Sequence, residues 1–238
     1  MKLAVMALVI LFVAGGISYI LKQRSSVSPA DKPEFSEEEY NRHYEAKQAA
    51  LEKILGPMHN MVGHAIIPFQ IGGTVDMYYF PNGIPGTGFA TMELIEPDGS
   101  GPKRNRIGTY EFVAFTKHKL QNEEDKDEQH PFNRIERQIC GIFTTLGFYS
   151  YDAVLNPGET CEVPGKEGEP NKYLIFDVYA PQGKAFEING KKHCLLLCLE
   201  VFKSEMEYAM ENGSAVVIKK LKEAGHYPYS DLDREPVY

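Results

Sequence analysis

Residues 109–117, TYEFVAFTK, place the tightest limit on the fold. Successive side chains of a strand point to opposite sides. Tyr110, Phe112, Ala114 and Thr116 therefore share one face, and Glu111, Val113, Phe115 and Lys117 the other. A helix would scatter both sets. The same period of two recurs in VGHAIIPFQ (62–70), TVDMYYF (74–80) and GFATMELI (88–95), each short, β-branched or aromatic, and bounded by turn residues. The spacers PNGIPGT and EPDGSGPKRNRIG are rich in glycine, proline and asparagine, which favours antiparallel connections.

Helical spacing flanks this β-rich stretch. Residues 38–55 carry acids early, lysines at 47 and 53, and Gly56-Pro57 as a stop, so a helix is expected there. In PFNRIERQICGIFTTLGFYS (131–150), Pro131 suits a first turn, and Ile135, Ile139, Ile142 and Leu146 recur every three or four residues. KYLIFDVYAP (172–181) reads as a strand, and AFEING with KKHCLLLCLEVF as a hairpin turning at Asn189-Gly190. KSEMEYAMENGSAVVIKKLKEAG (203–225) predicts two helices, broken at Asn212-Gly213, with Ser214 capping the second. The expected class is α/β of the α+β type: a mixed, largely antiparallel sheet flanked by helices and preceded by an N-terminal transmembrane helix.

That last element rests on residues 3–21, nineteen residues without a charge. About 20 apolar residues cross a bilayer, so 1–24 reads as a transmembrane anchor, the alternative being a cleaved secretory signal. Residues 25–38, with Pro29 and Pro33, read as a polar linker, and 39–238 as the folded domain. The expected location is a membrane, by a single N-terminal pass, or the exterior if the segment is cleaved. The flanking cations Lys2, Lys22 and Arg24 nearly balance, which leaves the side of the domain open with a slight lean to the cytoplasm.

The chain carries 25 Lys and Arg against 33 Asp and Glu, a net charge of −8. Without Lys2, Lys22 and Arg24, residues 25–238 hold 22 basic and 33 acidic residues, a net of −11. Such a surface repels a phosphate backbone unless a local basic patch overrides it, so no nucleic acid is expected as partner. The four cysteines read as free thiols, and Cys194 and Cys198 are too far apart along one strand to bond each other. The seven histidines form no close-spaced ligand pair, and the glycines of NGIPGTGF precede neither a Gly-Lys-Ser/Thr nor a helix. No nucleophile motif is present, and the pairs Glu93/Glu96 and Asp76/Glu111 read as surface charge. The reading is a non-catalytic chain with no metal and no cofactor.

The ordered pieces VDMYYFP (75–81), FATMELIEPD (89–98), TYEFVAF (109–115), LNPGET (155–160), YLIFDVYAP (173–181) and CLLLCLEVFKSEMEYAMENGSAVVIKKLKEAG (194–225) resemble the suppressor-of-fused-like domain over roughly 60–235. Thr91 is followed by Met92 and Glu93, where that family has a serine-glycine pair. The resemblance implies protein binding. The animal member sequesters a zinc-finger transcription factor by clasping a peptide as an added strand, and bacterial relatives are thought to be immunity proteins that block a toxin. Acidity favours a basic protein partner, such as a toxin domain. The expected recognition edge comprises Asp76, Tyr78, Tyr79, Thr91, Glu93, Glu96 and Glu111. The rival readings are an anchored structural or envelope-associated domain and a hydrolase with a dispersed site.

Overall fold

A strand with apolar residues on both faces is stable only inside a sheet covered on both sides, and this chain builds such a sheet. The computed structural model describes residues 35–121, 130–165 and 168–238. Along the chain the elements run α1 (Glu37–Leu55), β1 (Val62–Gly63), β2 (Met77–Phe80), β3 (Thr87–Ala90), β4 (Tyr110–Thr116), α2 (Pro131–Tyr149), β5 (Thr160–Val163), β6 (Lys172–Val178), β7 (Phe186–Ile188), β8 (Lys191–Val201), α3 (Lys203–Asn212) and α4 (Ser214–Glu223). The strands lie in the order β1-β2-β3-β4-β8-β6-β5, with β7 paired to β8. Among the described residues only the strands β4 and β8 pair in parallel. The expected class therefore holds for the domain: mixed α+β, mainly antiparallel, flanked by helices.

The alternation in β4 and β8 divides the apolar residues into two cores. Val113, Phe115, Leu195, Leu197, Leu199 and Val201 face α1, α3 and α4, meeting Leu51, Ile54, Met206, Val217 and Leu221. Tyr110, Phe112, Ala114, Cys194, Leu196 and Cys198 face α2 and meet Phe132, Ile135, Ile139, Ile142, Phe143 and Leu146. Burying each large side chain stabilises by about 1.5–3 kcal/mol. Pro131 opens α2, and the His130 ring accepts from the Phe132 amide at 3.2 Å. The β7–β8 hairpin turns on Asn189 and Gly190, at φ 50° and 76°, the left-handed pair of a type I′ turn.

Where parallel β4 and β8 separate, residues 229–231 fill the fork. The Ser230 amide donates to the Phe115 carbonyl at 2.8 Å, and the Glu200 amide donates to Ser230 Oγ at 3.1 Å. Asp231 accepts from Thr116 Oγ1 at 2.6 Å and from the Lys117 amide at 2.9 Å.

Two expectations fail locally. Residues 62–70 form a strand only at Val62–Gly63, because Pro68 lacks an amide donor and Phe69 turns inward against Gly147. The Phe69 ring stacks on Phe148 with centroids 4.6 Å apart. Ser214 does not cap α4: Gly213 occupies that position, and Ser214 Oγ donates to the Gly158 carbonyl at 2.7 Å. The uncharged run 3–21 lies outside the described residues, among which no helix is long and apolar enough to cross a membrane. Most of the charge run 119–129 also lies outside them.

Candidate partner-binding face

After β3 the chain leaves the sheet, and residues 91–98 form a loop that packs on α1 at His43 and Lys47. Its backbone is held from beneath by a buried ion pair. Lys47, 2% exposed, donates Nζ to Glu111 Oε1 at 2.8 Å and to the carbonyls of Met92 and Ile95, both at 2.7 Å. Glu111, wholly buried on β4, also accepts from Thr91 Oγ1 at 2.7 Å, the Ile95 amide at 3.0 Å and the Leu94 amide at 3.3 Å. All three ammonium protons and both carboxylate oxygens are thus engaged, which a buried ion pair requires if it is not to destabilise. His43, one helical turn before Lys47, lies with Nε2 2.8 Å from the Ile95 carbonyl, and burial first, then Lys47, holds its pKa down.

Acids line the rim of this scaffold, with the Glu93 carboxyl tucked in among them. The Asp76 amide donates to Glu93 Oε1 at 2.8 Å, while the Asp76 carboxylate receives the Ala65 amide and His64 Nδ1, both at 2.8 Å. Burial, reinforced by Asp76 and Glu111, pushes Glu93 up to about 8, so it is largely protonated at neutral pH. Glu96 and Asp98 follow on the loop; both raise the phenol pKa of Tyr40 electrostatically, after burial, which places that ring in their field. Tyr40 and Tyr44 are 47% and 37% exposed on α1, and Tyr44 sits 6.1 Å from the Tyr78 ring. The surface therefore combines exposed phenols with carboxylates over a rigid base.

The expected edge residues separate by depth. Asp76, Glu93 and Glu96 are partly exposed on this face. Thr91 and Glu111 are buried and act from within, fixing the loop that carries the acids. Tyr78 packs in the α1-side core under Tyr44. Tyr79 points to the opposite side, where its hydroxyl donates to Glu136 on α2. Asp76 and Glu111 are not a surface pair, since Glu111 is spent on Lys47. Lys47, Tyr40 and Tyr44 are not among the expected site residues, and the one signal for Lys47 is a cation at an inward position of an amphipathic helix.

Among the described residues no group of three His, Cys, Asp or Glu could hold a metal. The four cysteines are free thiols. Burial, first among the causes, pushes Cys161 up to about 11 and Cys194 up to about 12, far from a nucleophilic thiolate at neutral pH.

A helix-flanked mixed sheet carrying an acidic, tyrosine-bearing face is the class of domain that these elements define. No protein-family profile and no curated protein sequence matches the chain. Among solved structures it is similar to a chain of the Sufu–Fu complex crystal structure, at 15% identity over 82% of this chain and 92% of that one, with TM-score 0.56. It is likewise similar to a structure described as a SUFU (suppressor of fused protein) homolog from Neisseria gonorrhoeae FA 1090, at 12% identity, 82% and 97% coverage and TM-score 0.51. The fold is suppressor-of-fused-like.

Proposed function

We propose that this chain is a non-catalytic, membrane-tethered binding domain that holds a basic protein against its acidic tyrosine face, in the manner of an immunity protein that neutralises a toxin. The observation that carries the reading is the cluster of Asp76, Glu96 and Asp98 beside exposed Tyr40 and Tyr44, set on a loop held by Lys47 and Glu111. Carboxylates steer a basic partner and fix its register, and rigid phenols supply contact area at little entropic cost. The fold supports the same reading, because one chain that shares it comes from the crystal structure of the Sufu–Fu complex. The tether would come from residues 3–21, whose uncharged length matches a bilayer.

Co-expression tests it. A toxic domain encoded beside this chain should bind it and stop killing cells when both are made. The Tyr44→Ala, Glu96→Lys double variant should lose the rescue while the protein still folds. Rescue undiminished in that variant would remove this face from the interaction. Absence of binding to any neighbour-encoded domain would remove the immunity role.

A further inference from the structure

The loop that carries the acids continues as Gly99-Ser100-Gly101-Pro102-Lys103-Arg104, and there the character of the surface reverses. A cleft of about 720 Å3 is lined by Lys103 and Arg104 from this loop, Lys191, Lys192 and His193 from the start of β8, and Asp98. The lining thus holds four permanent cations, Lys191 and Lys192 from opposite sides of β8, and one carboxylate, on a chain whose net charge is −8. Among the described residues none of the four pairs with a carboxylate within 4.0 Å. Lys103 Nζ donates to the Asp152 carbonyl at 2.6 Å and Lys191 Nζ to the Asp98 carbonyl at 3.3 Å, and Lys191 also lies in the field of the Asp98 carboxylate. Asp98 is partly spent, accepting the Ser100 amide at 2.8 Å.

The backbone around the cleft is built rather than loose. Gly99 and Gly101 hold φ of +84° and +145°, and a side chain at 101 would meet the Leu94 carbonyl at 2.2 Å. That close approach packs residue 101 against the earlier part of the same loop. Buried His193 lies with Nδ1 2.7 Å from Thr109 Oγ1, and that hydroxyl lies 3.5 Å from the Gly99 carbonyl, so the floor ties loop to strand. Like charges in excess of the nearby carboxylates, held together on one frame, repel one another, and a multivalent anion relieves that repulsion.

We propose that this cleft is a binding site for a phosphate-type oxyanion carrying two or more negative charges, gripped chiefly by Arg104 and Lys192, whose side chains take no hydrogen-bond partner among the described residues. The site adjoins the acidic face at Asp98, but its cations lie outside that face and anion binding there does not depend on the face's partner. Two sources share the chemistry, a free phosphate chain and an anionic lipid headgroup.

The test is calorimetric titration of the full chain, held in neutral detergent at low salt, with sodium tripolyphosphate and separately with glycerophosphoglycerol, the deacylated headgroup of an anionic lipid. Saturable one-site binding is expected, weakened about tenfold or more by Arg104→Ala with Lys192→Ala, the loss of two charge-assisted contacts. Arg104→Gln with Lys192→Gln should do the same and keeps the side-chain bulk should the alanine pair fold poorly. Lys219→Ala with Lys220→Ala removes equal charge from α4 and should leave binding unchanged. Binding of tripolyphosphate alone identifies a free phosphate chain as the ligand; binding of glycerophosphoglycerol, alone or as well, identifies the headgroup. No saturable binding of either probe, or equal weakening by the α4 control, overturns the proposal.

Discussion

Residues 91–98 and 99–104 are successive halves of one connection, yet they treat charge in opposite ways. The first half rests on Lys47 and Glu111, two charges buried together with every polar atom engaged. The second half carries Lys103 and Arg104 at the surface, neither of them within 4.0 Å of a carboxylate among the described residues. The difference teaches where each kind of charge can work. A buried charge tolerates no vacancy, so it can serve only as a fixed internal support. An exposed charge costs little to leave unpaired, so it remains available to a ligand.

The sharpest way to break this contrast is Lys47→Met. The substitution keeps the volume of the stem but leaves Glu111 buried without its cation, together with the Met92 and Ile95 carbonyls. A loss of about 3–5 kcal/mol is expected in denaturant unfolding followed by circular dichroism. Restoring neutrality with Glu111→Gln in the same chain should recover part of that loss, because the remaining amide still accepts from the loop. A loss below about 1 kcal/mol for Lys47→Met would mean that the pair is not the support described.

Glu93 sharpens the comparison, since it lies between the two regimes, partly exposed and pushed up to about 8. Its folded-state pKa exceeds its ordinary value of 4.5. The folded state therefore binds the proton more tightly, and stability falls as pH rises from about 4.5 to about 8, then levels. Glu200, buried and pushed up to about 7, contributes with the same sign over a narrower window. Glu93→Gln removes the first contribution and should raise stability at pH 8.5 by about 1 kcal/mol relative to wild type, with little change near pH 4.5. Unfolding measured across that range checks it; an unchanged slope would show that Glu93 ionises freely in the folded chain.

The sheet was legible because alternation is a local property. TYEFVAFTK and KKHCLLLCLEVF give their faces directly, and the structure assigns those faces to the two cores. The stretch 62–70 misled because Pro68 and the packing of Phe69 on Gly147 overrule its β-branched composition, and Gly147 is 78 residues away in sequence. The acids at 76, 93 and 96 were visible as charges, but their depth was not. Whether Glu111 faces a partner or Lys47 depends on how α1 docks, a contact across 64 residues. The basic cleft was hidden for the same reason: Lys103-Arg104 and Lys191-Lys192 are two unremarkable dipeptides until β4 and β8 pair in parallel, which brings Tyr110 opposite Cys194.

The smallest expected effect isolates burial from charge. Arg104→Ala and Lys47→Met each delete one positive charge from the same connection or its support. Arg104 is exposed and surrounded by Lys103, Lys191 and Lys192, so its removal breaks no ion pair and relieves repulsion. The stability change should lie within about 0.5 kcal/mol, of either sign, and any gain should fade as salt screens the cluster. Unfolding of the two variants side by side at low and high salt makes the comparison. A loss for Arg104→Ala approaching that for Lys47→Met would place Arg104 in the framework of the loop and would end its role as a free charge awaiting an anion.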